Sequence, residues 1–365
     1  MSTTTPTEPR LPRLRQTLEL IRPGTGELCL RSAEKDFAID DAPPWAASFL
    51  LALDGRREMP AIAGALRDAG EHVTLAELDA TLSQLDGLGL VEDAVHDGLL
   101  TEAERVRYDR QLRYFSERAD RGESAAQAQL RLRDARVVVL GLGALGGHVA
   151  QQLAAAGVGT IVAVDGDEVE SSNLNRQTLY AESDIGRAKT DAAGERIRAL
   201  NSGISFEALR RWLDGPDDVA AAIVGADFVV DAVDTPPHEI ERWVNDACFG
   251  AGVPYIGMSH YPPWIRVGPT YVPGEIGCYR CQEVDWRARD PLFDAVTSRP
   301  QPSALGPTAV AVGGLVAMET IHHLTGISPP ASLGTAVMID LATLTIERRP
   351  VLRRRECTVC RTGSG

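Results

Sequence analysis

The 365-residue sequence has no run of eighteen apolar residues, so no membrane-spanning helix is expected. Its start, MSTTTPTEPRLPRLR, has no apolar core; a signal peptide is not expected, and a cytoplasmic location is. Positive charge is scarce. Against 51 Asp and Glu stand 37 Lys and Arg, a net charge of −14. A surface of that sign does not seek phosphate backbones, so nucleic acid is not the expected partner. Lysine is nearly missing: only Lys35 and Lys189 occur, which makes each worth a reason. Internal repeats and low-complexity tracts are absent. What is present, 44% hydrophobic and 24% charged residues, is globular in character. The length suits two domains at about 150 residues each.

Residues 1–23 are polar and Pro-containing and read as a flexible arm. ELCLRSAEKDFAIDD, from Glu27 to Asp41, alternates in a way that suits a hairpin. PPWAASFLLALDG reads as a short helix, with Pro43 and Pro44 at its start and Gly55 past its end. Leu75, Leu78, Leu82 and Leu85 recur at helical spacing, and Gly87 and Gly89 end that helix before a strand or wing at Leu90–Val91. These elements predict a small α+β, winged-helix-like domain over residues 24–100. Such a domain ordinarily suggests DNA, but 15 acidic against 5 basic residues favour docking of a peptide or protein. Thr101 and Glu104 have capping-box spacing at the head of a helix over 101–118, and 119–128 reads as a linker.

From Leu130 the signals alternate: RVVVLGLG, GHVAQQLAAAG, TIVAVDGD, DFVVDAVD. Short apolar strands between amphipathic helices predict a doubly wound, mostly parallel, Rossmann-like α/β sheet within residues 101–365. Gly141, Gly143 and Gly146 form G-x-G-x-x-G between a strand and a helix, where backbone N–H groups can approach phosphate. Asp165, at the end of the next strand, is placed to bond ribose hydroxyls. A nicotinamide dehydrogenase would share these features. The cations that follow argue against it. Asn173, Arg176 and Gln177 bunch together, Lys189 follows in GRAKTD, and so many phosphate-seeking groups suit a triphosphate. Asp231 and Asp234 end the fourth strand signal, where a carboxylate would hold Mg²⁺; Asp234 is the first candidate and Asp231 the second.

Cys278 and Cys281 in GCYRC, with Cys357 and Cys360 in CTVC, form two CxxC pairs that read as a structural zinc site, a knuckle with four cysteine ligands. Cys29 and Cys248 read as small buried hydrophobes. His260, Tyr261 and Trp264 are candidates to line the path of a substrate tail. His322 and His323 read as surface residues of a helix. Residues 293–310 offer Ser298 and Ser303, neither with an evident base beside it.

In order, RYDRQ (107–111), GLGALG (141–146), DGD (165–167), SNLNRQ (172–177), GRAK (186–189) and DAVDTP (231–236) resemble the ThiF/HesA/MoeB-type adenylyltransferases, relatives of the ubiquitin-activating enzymes. The resemblance covers roughly residues 101–362. It implies Mg²⁺-dependent use of ATP to adenylate a carboxylate, often the C-terminal glycine of a carrier protein. It implies ribose at Asp165, phosphates at Asn173, Arg176 and Lys189, and the cation at Asp234. Further nucleotide contacts are implied for Gly141, Gly143, Ala144, Gly146, Asp167, Ser172, Asn175, Gln177 and Thr235. Arg110 resembles an arginine that reaches into the partner's site of a homodimer. The zinc also matches the family.

Two residues depart from the pattern: Ala144 replaces a glycine, and Thr235 an asparagine. The loop cysteine that forms a thioester in many relatives is missing between Cys281 and Cys357. The enzyme is therefore expected to stop at the acyl-adenylate or pass it to an outside nucleophile. A small docking module before a ThiF-like module resembles enzymes of ribosomal peptide natural-product biosynthesis, which implies a precursor peptide held by residues 24–100. Activation of a Gly-Gly sulfur carrier is the alternative within the class, and a non-catalytic peptide-presenting scaffold the alternative outside it.

Overall fold

The structure, a computed structural model, describes residues 10–22, 24, 26–33, 35–118, 124–290, 292 and 303–360. The chain divides into two compact units, Met1–Leu130 and Arg131–Gly365.

The first unit begins with β1 (Pro12–Leu14), β2 (Glu19–Ile21), β3 (Leu28–Arg31) and β4 (Asp36–Ile39). It continues through α1 (Ala46–Ala52), α2 (Met59–Asp68), α3 (Leu75–Gly87) and β5 (Val91–Asp93). Strands β2, β3 and β4 form an antiparallel sheet, and β1 pairs antiparallel with β5. The leucine spacing in α3 does its work. Leu78, Leu82 and Leu85 are buried in one core with Leu30, Phe49 and Ile62, and a Thr74–Glu77 capping box starts the helix.

The flexible arm does not hold from residue 10 onward, because the wing recruits it. Arg13 pairs with Glu92 and Arg10 with Asp86, each at 2.7 Å, and the Leu11 N–H donates to the Asp93 carboxylate at 3.0 Å. Residues 1–9 lie outside the described residues. The helix expected over 101–118 is two helices, α4 (Glu102–Arg107) and α5 (Asp109–Arg118). Between them Tyr108 is buried and leaves helical geometry, with ψ 13°. The expected linker already enters α6 (Ala125–Asp134), within which the division between the units falls. Residues 119–123 lie outside the described residues.

The second unit runs β6 (Arg136–Leu140), α7 (Ala144–Ala156), β7 (Thr160–Val164), α8 (Lys189–Leu200), β8 (Ser205–Leu209), α9 (Pro216–Ala222), β9 (Phe228–Asp231) and α10 (Glu239–Ala251). It continues with β10 (Tyr255–Tyr261), β11 (Trp264–Tyr271), α11 (Tyr279–Arg289), α12 (Gly306–Thr325), β12 (Thr335–Asp340) and β13 (Thr345–Pro350). One eight-stranded sheet results, in the order β13-β12-β11-β10-β9-β6-β7-β8. Strands β10, β9, β6, β7 and β8 pair parallel; β11, β12 and β13 are added antiparallel. Val137, Val138, Val139 and Leu140 are all fully buried. Since alternate residues point to opposite faces, both faces of β6 are covered.

The chain moves outward from β6 through β7 to β8, then returns to β9 on the other side of β6. In doubly wound sheets such a reversal places the ligand crevice at the carboxyl ends of the strands that flank it, here β6 and β9. Two smaller expectations fail. His322 is buried and His323 half-buried, its ring 5.0 Å from that of Phe228, because α12 packs along α7 and the sheet. Cys248 is fully buried as expected, but Cys29 is only half-buried. Among the described residues, no helix is long and apolar enough to cross a membrane.

Candidate functional site

The glycines after β6 have different tasks. Gly141 has a φ of +87°, and a Cβ there would lie 2.7 Å from the Ala232 carbonyl oxygen. A Cβ on Gly146 would lie 2.0 Å from the Gly141 carbonyl oxygen. These two let the turn, α7 and the end of β9 close up. Gly143, which caps α7, faces open space, with nothing within 4 Å of an added Cβ. The unpaired N–H groups of the α7 terminus border that space. Ala144 is the first residue of α7, where an alanine suits helical backbone.

Asp165 clamps the turn. One carboxylate oxygen accepts the Leu142 N–H at 2.7 Å and the other the Asp167 N–H at 2.8 Å. The Tyr180 hydroxyl donates to the Leu142 carbonyl at 2.9 Å, and burial pushes its pKa up. Sequence reasoning missed Tyr180, since a lone tyrosine carries no motif. Lys189 opens α8. Its side chain is 6% exposed, and its ammonium lies 2.7 Å from Asp167, itself 47% exposed.

Between these elements, 172–177 forms a tight turn. Asn173 is buried; its Oδ1 accepts the Glu170 N–H at 3.2 Å and its amide donates to Ser172 Oγ at 3.4 Å. The Ser172 carbonyl accepts from Arg176 at 2.7 Å and from Asn175 at 3.2 Å. Gln177 is buried, and its Oε1 has no hydrogen-bond partner. The start of α12 abuts this turn: a Cβ on Gly306 would meet the Asn175 carbonyl oxygen at 2.7 Å.

Asp234 lies exposed just past β9 and accepts the Thr235 hydroxyl at 3.2 Å. Asp231 ends β9 and is 7% exposed, one carboxyl oxygen without a partner. Burial, then the charge of Glu241, pushes its carboxyl up to about 8, against the opposing pull of the Val233 N–H and Arg266. Asp231 is enclosed by the sheet while Asp234 is open to the crevice side of the strand end, so Asp234 stays the first candidate for a cation. His260 sits 2.5 Å from the Thr308 hydroxyl on α12, and burial lowers its pKa. Nearby on the hairpin, Tyr261 is exposed and Trp264 half-buried; Ser303 is exposed, and Ser298 lies outside the described residues. Arg110 belongs to the first unit, where its side chain is 89% exposed on α5, 3.7 Å from Asp109.

The four CxxC sulfurs gather within 4.8 Å of one another. Cys278 and Cys357 are 3.5 Å apart, Cys281 and Cys360 3.4 Å, and all four are unbridged. Tetrahedral zinc with bonds of about 2.3 Å would space its sulfurs by roughly 3.8 Å, so the set fits the metal. Three of the four residues are buried, and four thiolate donors leave no open position, the pattern of a structural rather than a catalytic zinc site.

The ThiF family model matches residues 108–361. The chain is 34% identical to the molybdopterin-synthase adenylyltransferase of Escherichia coli over 266 residues, 72% of this chain and 98% of that one. It is 33% identical to the sulfur carrier protein ThiS adenylyltransferase of the same organism over 252 residues, 69% and 96% of the two chains. Among solved structures, E. coli MccB with ATP matches with a TM-score of 0.76 at 25% identity, covering 96% of this chain and 99% of that one. The microcin C7 biosynthetic enzyme MccB in complex with N-formylated MccA matches with the same TM-score and coverage at 24% identity.

Proposed function

The chain belongs to the ThiF family and is an ATP-dependent adenylyltransferase, and from that premise we propose that it adenylates a carboxylate of a ribosomally made precursor peptide in natural-product biosynthesis. One observation carries the choice of substrate. The likeness to MccB spans 96% of the chain, whereas the carrier-activating relatives cover 69–72% and the family model begins at residue 108. The N-terminal unit is thus shared with an enzyme solved with MccA, and it is the part proposed to hold the peptide.

ATP enters as substrate. The α7 terminus and the open side of Gly143 receive phosphate, with Gly141, Ala144 and Gly146 shaping that turn. Asp165 has lone pairs left for ribose hydroxyls, and Lys189 exchanges Asp167 for the triphosphate. Arg176, Asn173 and the other polar groups of 172–177 neutralise or orient phosphate oxygens. Mg²⁺, when bound, spreads the charge between phosphates; Asp234, with Thr235 beside it, is the carboxylate proposed to hold it. The peptide carboxylate oxygen bonds to the α-phosphorus, the bond to the bridging oxygen breaks, and pyrophosphate leaves with the electron pair. Such a step needs positioning and charge neutralisation rather than a protein nucleophile. Arg110 is proposed to serve the site of a second copy in a homodimer. Cys278, Cys281, Cys357 and Cys360 would hold zinc, which would tie the start of α11 to the segment after β13. Reduced thiols and use of ATP fit a cytoplasmic setting.

A Gly-Gly sulfur carrier is the second reading, favoured by the identity with the ThiS-activating enzyme. Intact-mass analysis after incubation with Mg-ATP and a short precursor encoded near the gene tests the proposal. A gain of one AMP, or a chemical change at the peptide carboxylate, supports it. Adenylation of a Gly-Gly carrier with no change in the peptide would overturn it in favour of the second reading.

A further inference from the structure

We propose that Trp212 is the platform on which the base of the nucleotide stacks, and that it sets a preference for purines. The inference rests on the nucleotide reading of the crevice. Trp212 lies three residues past the end of β8. There the Leu209 carbonyl accepts the Asp165 N–H at 3.2 Å and the Arg211 N–H at 3.0 Å, so the chain turns directly beside the proposed ribose acid. The indole covers Gly166, the residue after Asp165. A Cβ on Gly166 would stand 2.7 Å from Trp212 Cδ2, 2.7 Å from Cε2 and 2.8 Å from Cγ. Near-equal distances to three fused-ring atoms place that point over the ring face, not its edge. Glycine at 166 is what makes room for the ring.

One face of the indole therefore rests on the turn that carries Asp165 and Asp167, yet Trp212 is 57% exposed while Leu213 beside it is buried. With one face of the ring on the turn, the other is left as a π-surface on which a base can stack. The glycosidic bond keeps a base next to its ribose, so a ribose at Asp165 brings the base to this ring. The charged neighbours Arg210 and Glu168 are paired with each other at 2.9 Å. Recognition by stacking accepts any base with a π-face and favours those that stack more strongly, the purines over the pyrimidines.

The test is nucleotide binding by the full-length protein without peptide, so that no turnover intervenes. Calorimetry with ATP, GTP, CTP and UTP gives affinities, and tryptophan fluorescence reports the contact. Wild-type protein is expected to bind ATP and GTP more tightly than CTP and UTP, with quenching. Trp212→Ala should weaken ATP binding about 5- to 150-fold, abolish most of the quench and bring the four affinities together. Trp212→Phe should keep the purine preference. Gly166→Ala, which pushes the ring away while leaving the tryptophan in place, should act in the direction of Trp212→Ala. Equal ATP affinity and equal base preference in wild type and Trp212→Ala would overturn the proposal and leave the nucleotide site standing. Failure of wild-type protein to bind any nucleotide would overturn the nucleotide reading itself.

Discussion

Lys189→Met separates what this lysine does for the fold from what it is proposed to do for the reaction. The methionine keeps an unbranched stem of similar length, so no cavity opens in the 6%-exposed site. The lost pair has an asymmetric partner: Asp167 is 47% exposed and, left alone, is hydrated. Stranding a fully buried partner costs about 3–5 kcal/mol, and an exposed pair is worth about 0.2–1 kcal/mol. With only one member buried, a cost near 1 kcal/mol is expected, or about 2–4 °C in the melting temperature. The chemical loss should be larger. A charged donor aimed at developing phosphate charge is worth about 10²–10³ in rate. ATP–pyrophosphate exchange with the carboxylate substrate measures the second quantity, and a thermal melt the first. Exchange within threefold of wild type in a folded variant would refute the catalytic assignment. A fall of more than 10 °C would refute the argument from exposure.

Purified protein should carry one zinc per chain by elemental analysis, and Cys360→Ser should lower both zinc content and melting temperature; metal-free protein with an unchanged melt would contradict a structural four-cysteine site. Gly146→Ala forces a methyl 2.0 Å from a backbone carbonyl and should destabilise by about 3 kcal/mol, while Gly143→Ala should leave the melt alone and weaken ATP binding; equal effects on stability would show that the two glycines do the same job. Asp231, raised to about 8 from an unfolded value near 3.9, favours folding while protonated. Its contribution is full below about pH 4 and is lost as pH rises toward 8, by at most about 1.4 kcal/mol per unit. Asp231→Asn should remove that slope from urea titrations, and parallel wild-type and variant curves would show that the buried carboxyl is not responsible.

The two units were not equally legible, for physical reasons. In the second, the chemistry lies close to regular backbone. A buried parallel strand needs a continuous apolar run, a turn into a helix needs glycines, and the site groups follow at strand ends, so short motifs announce them. Asp165 and Lys189 were read this way, and both sit at the ends of strand and helix where the motifs put them. Tyr180 could not be, because its job is a single hydrogen bond to Leu142 across 38 residues. The proposed role of Trp212 could not be read either, because its placement depends on the absence of a side chain at Gly166. In the first unit the hairpin, α1 and α3 followed from local spacing. The arm was misread because its order comes from Arg10 and Arg13 meeting Asp86, Glu92 and Asp97 across 76 to 84 residues. Polar composition signals flexibility only while the polar groups have nothing to bind.

The groups proposed to bind ATP are already held by weaker partners of their own. Asp165 is fixed by two backbone N–H groups, Lys189 by Asp167, and Arg176 by the Ser172 carbonyl. Each partner constrains the side chain without saturating it: a carboxylate oxygen keeps a second lone pair, an ammonium has three donors, and a guanidinium five. Binding of a nucleotide is then an exchange of partners within a shaped crevice, and little side-chain entropy remains to be lost. The same logic explains why Gly143 and Gly166 matter more for the room they leave than for their flexibility. One leaves space at the α7 terminus, where phosphate is proposed to approach, and the other lets an indole lie beside Asp165, the proposed ribose acid. A site built from such small vacancies tolerates Ala144, whose methyl sits on a helix, but not a methyl at either glycine.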